Sequence, residues 1–464
     1  MSFASLDFLF LLAVTFLGYF LCPPKYRNYV ILAASYFFYA YWSVKYLLLL
    51  IVIVGIDYTV ALRIAASVDQ FRRKAWLLVS LSTNIGALVF FKYFNFLSEL
   101  AAGLTGHAPF VTSVVLPFGI SFYTFHAISY VVDVYRGKVP AEPNYVYYSC
   151  YVMFFPQLVA GPIARASTLM HQFRETKPLL VQNLIDGAYL MARGYILKLV
   201  IADFLSGYVD SQFSDQPDLN SFLVAQAVYF FAFQIYFDFS GYTDIARGVA
   251  KLFGFELVIN FNRPYCAASI TEFWHRWHIS LSTWLRDYLY ISLGGNRLGR
   301  WRTYRNLMIT MLLGGLWHGA GVNYAIWGLL HGLYLSIERP FRGSPYSLDR
   351  YLPRAVRVFV VFHLVCFAWI FFRCHTFSHA LDVIGHCVTW LSHPFTLNGG
   401  GIQRNMVAMI VFWLVFEWAE ERFTLPARFR VASPWLKLAV GYCAISFIAL
   451  FAETNPKAFI YFQF

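Results

Sequence analysis

The sequence predicts an all-α, polytopic membrane protein organised as a single membrane domain over residues 1–464, and three observations carry that prediction. Hydrophobic residues occupy 59% of the 464 positions and charged ones only 13%, at a mean hydropathy of +0.55, which is too apolar for a soluble chain of this length. Runs of roughly 17 to 25 apolar residues recur often enough for about 12 spanning helices. Basic residues collect in alternate short loops and form no continuous face, so the net charge of +12 reports membrane topology and argues against nucleic acid as a partner.

Ala4 to Leu21 forms the first span. It carries no basic leader and no small-residue cleavage pattern, so it reads as a retained helix and not as a signal peptide. Lys25 and Arg27 lie in one loop and Arg63, Arg72, Arg73 and Lys74 in another, whereas the turn from Trp42 to Lys45 holds a single lysine. That alternation places the amino terminus outside and the basic loops in the cytoplasm, the arrangement of a multi-pass membrane protein. On the same walk Arg136 and Lys138, Arg297 to Arg305, and Arg339 to Arg357 fall inside, while the acidic stretch Asp210 to Asn220 and both chain ends fall outside.

Three segments resist a simple crossing. Leu116 to Arg136 opens LPFGISFYTFHAISY, mixing proline, glycine and hydroxyls into an apolar run. Tyr145 to Arg165 contains Pro156 and Pro162 and fits a re-entrant element, whose non-helical backbone must be surrounded by protein or by a water-filled cavity. Thr271 to Tyr290, wound as one helix, gathers Trp274, Trp277, His278, Leu281, Trp284, Leu285 and Tyr288 within about 120° of arc. Glu272, His275, Arg276, Thr283 and Arg286 take the other side, so this helix lies in the interface plane or lines a funnel.

Polar groups in such a chain are costly and therefore informative. His278 is an imidazole on an aromatic face, and His318 sits in GLWHGAG after the apolar run Leu307 to Leu316. An ionisable residue so placed points to a functional site, against the plainer reading of a packed histidine bonded to a backbone carbonyl. QIYFDFSGYTDIA places Gln234, Tyr236, Asp238, Ser240 and Asp244 in a span that starts near Ser221, where an aspartate costs about 2.5–3.5 kcal/mol. Asp238 should therefore face a polar interior or tie helices together through Arg276 or an indole, with Ser240 and Gly241 helping to break the helix there. Asp244, near Arg247, reads as an interfacial cap. His331 lies one turn beyond Trp327 and reads as support for His318, and His126 and His363 read as core.

Other chemistries find little here. Asp238, Asp244, His278 and His318 have the residue types of a metal site but no ligand spacing, and the seven scattered cysteines outline neither a disulfide framework nor a metal centre, so no metal is expected. No nucleophile elbow and no Walker loop occurs. SLGGNRLGRWRTYR, with Gly294, Gly295, Arg297 and Arg300 following Arg276, is the nearest thing to a phosphate-holding loop, for a nucleotide-like donor or an acidic carrier protein.

Six ordered motifs give a resemblance that spans nearly the whole chain. LPFGISFYTF (116–125), FFPQLVAGPIAR (154–165), QIYFDFSGYTDIA (234–246), NFNRPY (260–265), FWHRWHISLSTWLRDYLYISLGGNR (273–297) and GLWHGAGVNYAIWGLLHG (315–332), with the final FIYFQF (459–464), resemble the bacterial branch of the membrane-bound O-acyltransferase (MBOAT) family. Members of that branch O-acetylate alginate, cellulose or peptidoglycan, or D-alanylate teichoic acids. The resemblance implies a ring of tilted spans around a central tunnel, with His318 as principal catalytic residue and His278 as the second polar position. Asp238, Gln234, Trp274, Trp277, Trp317, Tyr236, Ser240, Asn260 and His331 would support the site or line the tunnel. It implies acetyl-CoA or another acyl thioester as donor and a periplasmic or extracellular polysaccharide acetyltransferase as partner. Under D-alanyl transfer the partner would be a cytoplasmic acyl carrier protein. A proton-coupled transporter or polysaccharide flippase is the alternative from another class, disfavoured because no repeated halves with matching broken helices are visible.

Overall fold

A computed structural model describes residues 1–159, 161–214, 220–344, 347–392, 403–453 and 457–462. Residues 215–219 of the acidic stretch, Ala160 of the re-entrant motif and the last two residues of FIYFQF lie outside that set. The described residues are helical and include no strand. Five helical stretches among them are long and apolar enough to cross a membrane: Val44–Ala66, Gln70–Thr105, Ser221–Leu252, Arg354–Arg373 and Pro434–Phe451, with Leu6–Leu21 a shorter apolar helix. This is fewer than the 12 or so expected from apolar runs, because several runs form helices that are short or broken. Two compact units emerge, Met1–Met191 with Thr243–Ile259, and Ala192–Tyr242 with Asn260–Phe464.

In the first unit Ser5 caps the opening helix by accepting the Phe8 N–H, and Asp69 caps Gln70–Leu88 by accepting from Phe71 and Arg72. Ile120–Tyr135 is buried on nearly every side. It starts at Gly119, whose φ of +72° and a backbone carbonyl of Leu158 2.6 Å from where a Cβ would sit both require glycine. Tyr145–Met153 is a nine-residue helix followed by turns through the two prolines, all within a buried setting.

The second unit departs from expectation in two places. Ser221–Leu252 starts where predicted but runs unbroken through Ser240 and Gly241. Gly241 serves close packing instead: a Cβ there would lie 2.8 Å from the Gly194 carbonyl oxygen and 3.0 Å from the Lys198 nitrogen. The Thr271–Tyr290 stretch, in contrast, is not one helix. Ile270–Arg276 ends, Trp277 is extended, His278 takes φ 40° and ψ 55°, and Ile279–Trp284 resumes before a π turn at Leu285–Tyr290. Left-handed geometry at a non-glycine residue costs energy and persists only where neighbours enforce it. Asn260 enforces it, its carbonyl accepting the Ile279 N–H at 2.9 Å and its Oδ1 the Ser280 N–H at 3.3 Å.

The glycines around His318 also acquire a reason. Arg300–His318 and Val322–Glu338 form a tight helical hairpin. A Cβ on Gly315 would meet the Tyr324 carbonyl oxygen at 2.2 Å, one on Gly328 the Met311 carbonyl oxygen at 2.3 Å, and one on Gly319 the Tyr324 ring at 2.0 Å. Small residues let the two backbones touch, as in membrane helix pairs generally. His318 is thereby held at the tip of the hairpin against Trp327.

Candidate active site

His278, from the strained break, and His318, from the hairpin tip, are both buried, with ring centroids 6.4 Å apart. Aromatic rings surround them. Trp317, Trp327, Phe372 and Tyr461 stand 4.9, 5.2, 5.3 and 5.2 Å from the His318 ring, and Phe239 stands edge-on to His278 at 4.7 Å. No described protein atom hydrogen-bonds either ring nitrogen of His278. Buried polar atoms are nearly always paired, so open imidazole nitrogens in so dense a setting are exceptional.

Beyond Trp327 the polar character continues. His331 packs 4.9 Å from Trp327 and 5.1 Å from Trp274, and its two ring nitrogens and both indole N–H groups lack described partners. Trp274 in turn lines a cavity of about 690 Å³, which also touches Ile279, next to His278. The cavity therefore ends one aromatic layer from His318, through the Trp274–Trp327 contact at 5.8 Å. Its other wall carries Arg286, Arg339, Arg342, His275 and Asn296. Arg286 projects from the π turn at Leu285–Tyr290, a distortion found often at functional positions.

The residues expected to hold a donor are placed differently from these. Arg297 and Arg300 are exposed, Gly294 is half-buried and Gly295 is buried, and all four lie outside the cavity lining. Positive φ at those glycines shapes a turn that Asn306 fastens by donating to the Leu293 and Gly295 carbonyls, each at 3.0 Å. Arg276 is engaged by Glu272 at 2.9 Å. Burial alone pushes the Glu272 carboxyl up, but the Ala268 N–H and the Arg354 and Arg276 guanidiniums outweigh it and hold it below its ordinary value.

Asp238 is neither tied to Arg276 nor free. Its Oδ1 lies 2.5 Å from Lys198 Nζ, which also meets Asp203 at 2.8 Å, and its Oδ2 accepts the Ile460 N–H at 2.8 Å. That last bond fixes the segment bearing Tyr461 beside the histidines. Tyr236 donates to Glu417, which is paired with Arg193. Trp277 stacks into the core on Phe273 and Trp369, and Gln234 and Ser240 are buried on the same long helix. Asp244 pairs with Arg247 at 3.2 Å but is buried inside Ser221–Leu252, away from either helix end, and so is not the interfacial cap expected. Among the described residues no group of three or more His, Cys, Asp and Glu side chains is arranged to hold a metal.

The family model described as MBOAT, membrane-bound O-acyltransferase family, matches residues 2–376. The chain belongs to the membrane-bound O-acyltransferase family. It is 43% identical to the probable alginate O-acetylase AlgI of Pseudomonas aeruginosa, over 90% of this chain and 81% of that protein. It is similar too to the peptidoglycan O-acetyltransferase of Helicobacter pylori, at 37% over 80% of this chain and 77% of that one. A more distant similarity joins it to the teichoic acid D-alanyltransferase of Bacillus subtilis, at 27% over 56% and 69%. As a member of the family this protein is a multi-pass membrane acyltransferase.

Several members of the site escaped sequence reasoning. Lys198 was the most legible of them, a lone lysine in the apolar run YILKLVIA. Trp327 and Phe372 lie in helices that read simply as spans, and Tyr461 belongs to a motif noted only for its resemblance. Arg339 and Arg342 counted toward topology alone.

Proposed function

We propose that this MBOAT protein is an O-acetyltransferase in which His318 acts as general base and His278 orients or polarises the reacting groups. The observation that carries the reading is the buried histidine pair, set one aromatic layer from an arginine-walled cavity. Acyl transfer from a thioester breaks a C–S bond and forms a C–O bond. The hydroxyl proton must leave as the oxygen attacks, and an imidazole with an ordinary pKa of about 6.5 suits that step. The proton is then available to the departing thiolate. The tetrahedral oxyanion needs a donor, for which His278 and the indoles of Trp274, Trp317 and Trp327 are within the same aromatic cluster.

The donor in this reading is acetyl-CoA or a related acyl thioester, its phosphates held by Arg286, Arg339 and Arg342 from the cytoplasmic side and its thioester passed beside Trp274. The acceptor is an extracellular or periplasmic polysaccharide such as alginate or cellulose, reached through a partner acetyltransferase outside the membrane. The whole chain works as one membrane domain in an inner membrane, with about 12 crossings around the site. The named relatives at 43% and 37% identity favour acetyl over D-alanyl transfer from a carrier protein.

Purified protein incubated with acetyl-CoA and a small surrogate alcohol should release free thiol and form the acetyl ester. Release only from a D-alanyl carrier-protein thioester would replace the acetyl reading. No thioester consumption with either donor would overturn the enzymatic one for this site.

A further inference from the structure

A second cavity, of about 640 Å³, opens beside the end of Val322–Glu338 and the start of Arg354–Arg373. That size falls in the range of cavities that hold a small-molecule ligand, about 300–1,000 Å³, and is too small for a partner helix. Its walls are apolar, with Ile337, Phe341, Val360 and Leu364 among them, while Arg342 and Arg357 stand at its polar end. Two carboxylates also line it, and both are occupied. Glu338 accepts from the Ile270 N–H and the Thr271 hydroxyl, each at 2.6 Å, and Asp349 accepts from the Ser347 hydroxyl. Arg342 and Arg357 make no ion pair at contact distance among the described residues, although Arg357 acts on the Asp349 carboxylate through space, and the Arg357 Nε is buried without a hydrogen bond.

The setting identifies the occupant's class. Residues beside the mouth, Leu333, Ile337, Val356, Phe359 and Val360, are large, apolar and exposed, as lipid-facing positions of membrane helices are. Arginines at the end of such helices meet headgroups, and basic pockets between helices bind anionic ones. We propose that this cavity binds an anionic phospholipid from the adjoining leaflet, its phosphate between Arg342 and Arg357 and an acyl chain along Ile337, Phe341, Val360 and Leu364. The site shares Arg342 with the donor cavity but does not rest on the acyl-transfer reading, and it would stand if that reading fell.

Native mass spectrometry of the full chain, exchanged into detergent with phosphatidylglycerol or phosphatidylcholine, tests it. Because Arg342 also lines the first cavity, Arg357→Ala is the variant of choice. Phosphatidylglycerol should be retained in preference to phosphatidylcholine, and Arg357→Ala should weaken its retention by about five-fold. Val360→Trp, at an exposed wall position, should reduce retention by filling the groove while leaving both arginines in place. Equal retention of the two lipids, or phosphatidylglycerol retention unchanged in both variants, overturns the proposal.

Discussion

Asp57 in the first unit and the His278–His318 pair in the second are both buried polar clusters in an apolar protein, and they are completed differently. Both oxygens of Asp57 are occupied, by Ser80 Oγ at 2.5 Å and by Asn84 Nδ2 at 2.9 and 3.0 Å, and Asn84 also donates to the Ser80 carbonyl. The cluster joins Val44–Ala66 to Gln70–Leu88 and satisfies both carboxylate oxygens, although Asn84 Oδ1 has no described partner. His278 has no such partners among the described residues. Open nitrogens alone do not define a site, since those of buried His331 are open too. What sets the pair apart is a second imidazole 6.4 Å away, a strained backbone presenting the first, and a cavity reaching the same aromatic layer. The first cluster joins helices, whereas the second lies beside a cavity, as the proposed chemistry requires.

The contrast breaks most sharply on substitution. His318→Ala should lower acyl transfer by roughly 10²–10⁴-fold while the protein stays folded and monodisperse, measured as thiol release at matched folded concentration. Lys198→Met should act on stability instead. It strands Asp203 and Asp238 as buried carboxylates, and breaking such a pair costs about 3–5 kcal/mol, visible as a lowered unfolding midpoint. Asp57→Ala should cost less, about 1–3 kcal/mol for the donors it orphans, with activity per folded molecule unchanged. An activity loss there without a stability loss would erase the distinction between the two clusters.

Smaller effects sharpen it. Arg286→Ala with Arg339→Ala should raise KM for the thioester donor several-fold with kcat nearly kept, because these side chains meet the donor far from the reacting carbon. Glu272, whose carboxyl is held low, stabilises its helix start above the ordinary carboxylate range and loses that effect as pH falls through its lowered pKa. Glu272→Gln should therefore remove less than about 1 kcal/mol near neutral pH and nothing in acid, read from unfolding midpoints across pH.

Much of this was legible in the chain. Apolar content gives the membrane class, the start of Ser221–Leu252 is correctly placed, and the amphipathic pattern puts His278 inside and Glu272 and His275 toward solvent or the cavity. The failures share one cause, a contact made by a residue distant in sequence. Asn260 breaks the helix at His278, Lys198 neutralises Asp238, and the Ile460 N–H brings Tyr461 to the histidines. Local periodicity has no access to such contacts. The glycines near His318 act through packing, because a Cβ would strike the facing helix, and the sequence pattern around them does not reveal that contact.

The central claim is that the two histidines form one working site. A kinetic double-mutant cycle of His278→Ala and His318→Ala on the acyl-transfer rate tests it most directly. Residues acting as a unit lose their effect together, so the double variant should be scarcely slower than His318→Ala alone. Losses that simply multiply would show two independent histidines and contradict the account.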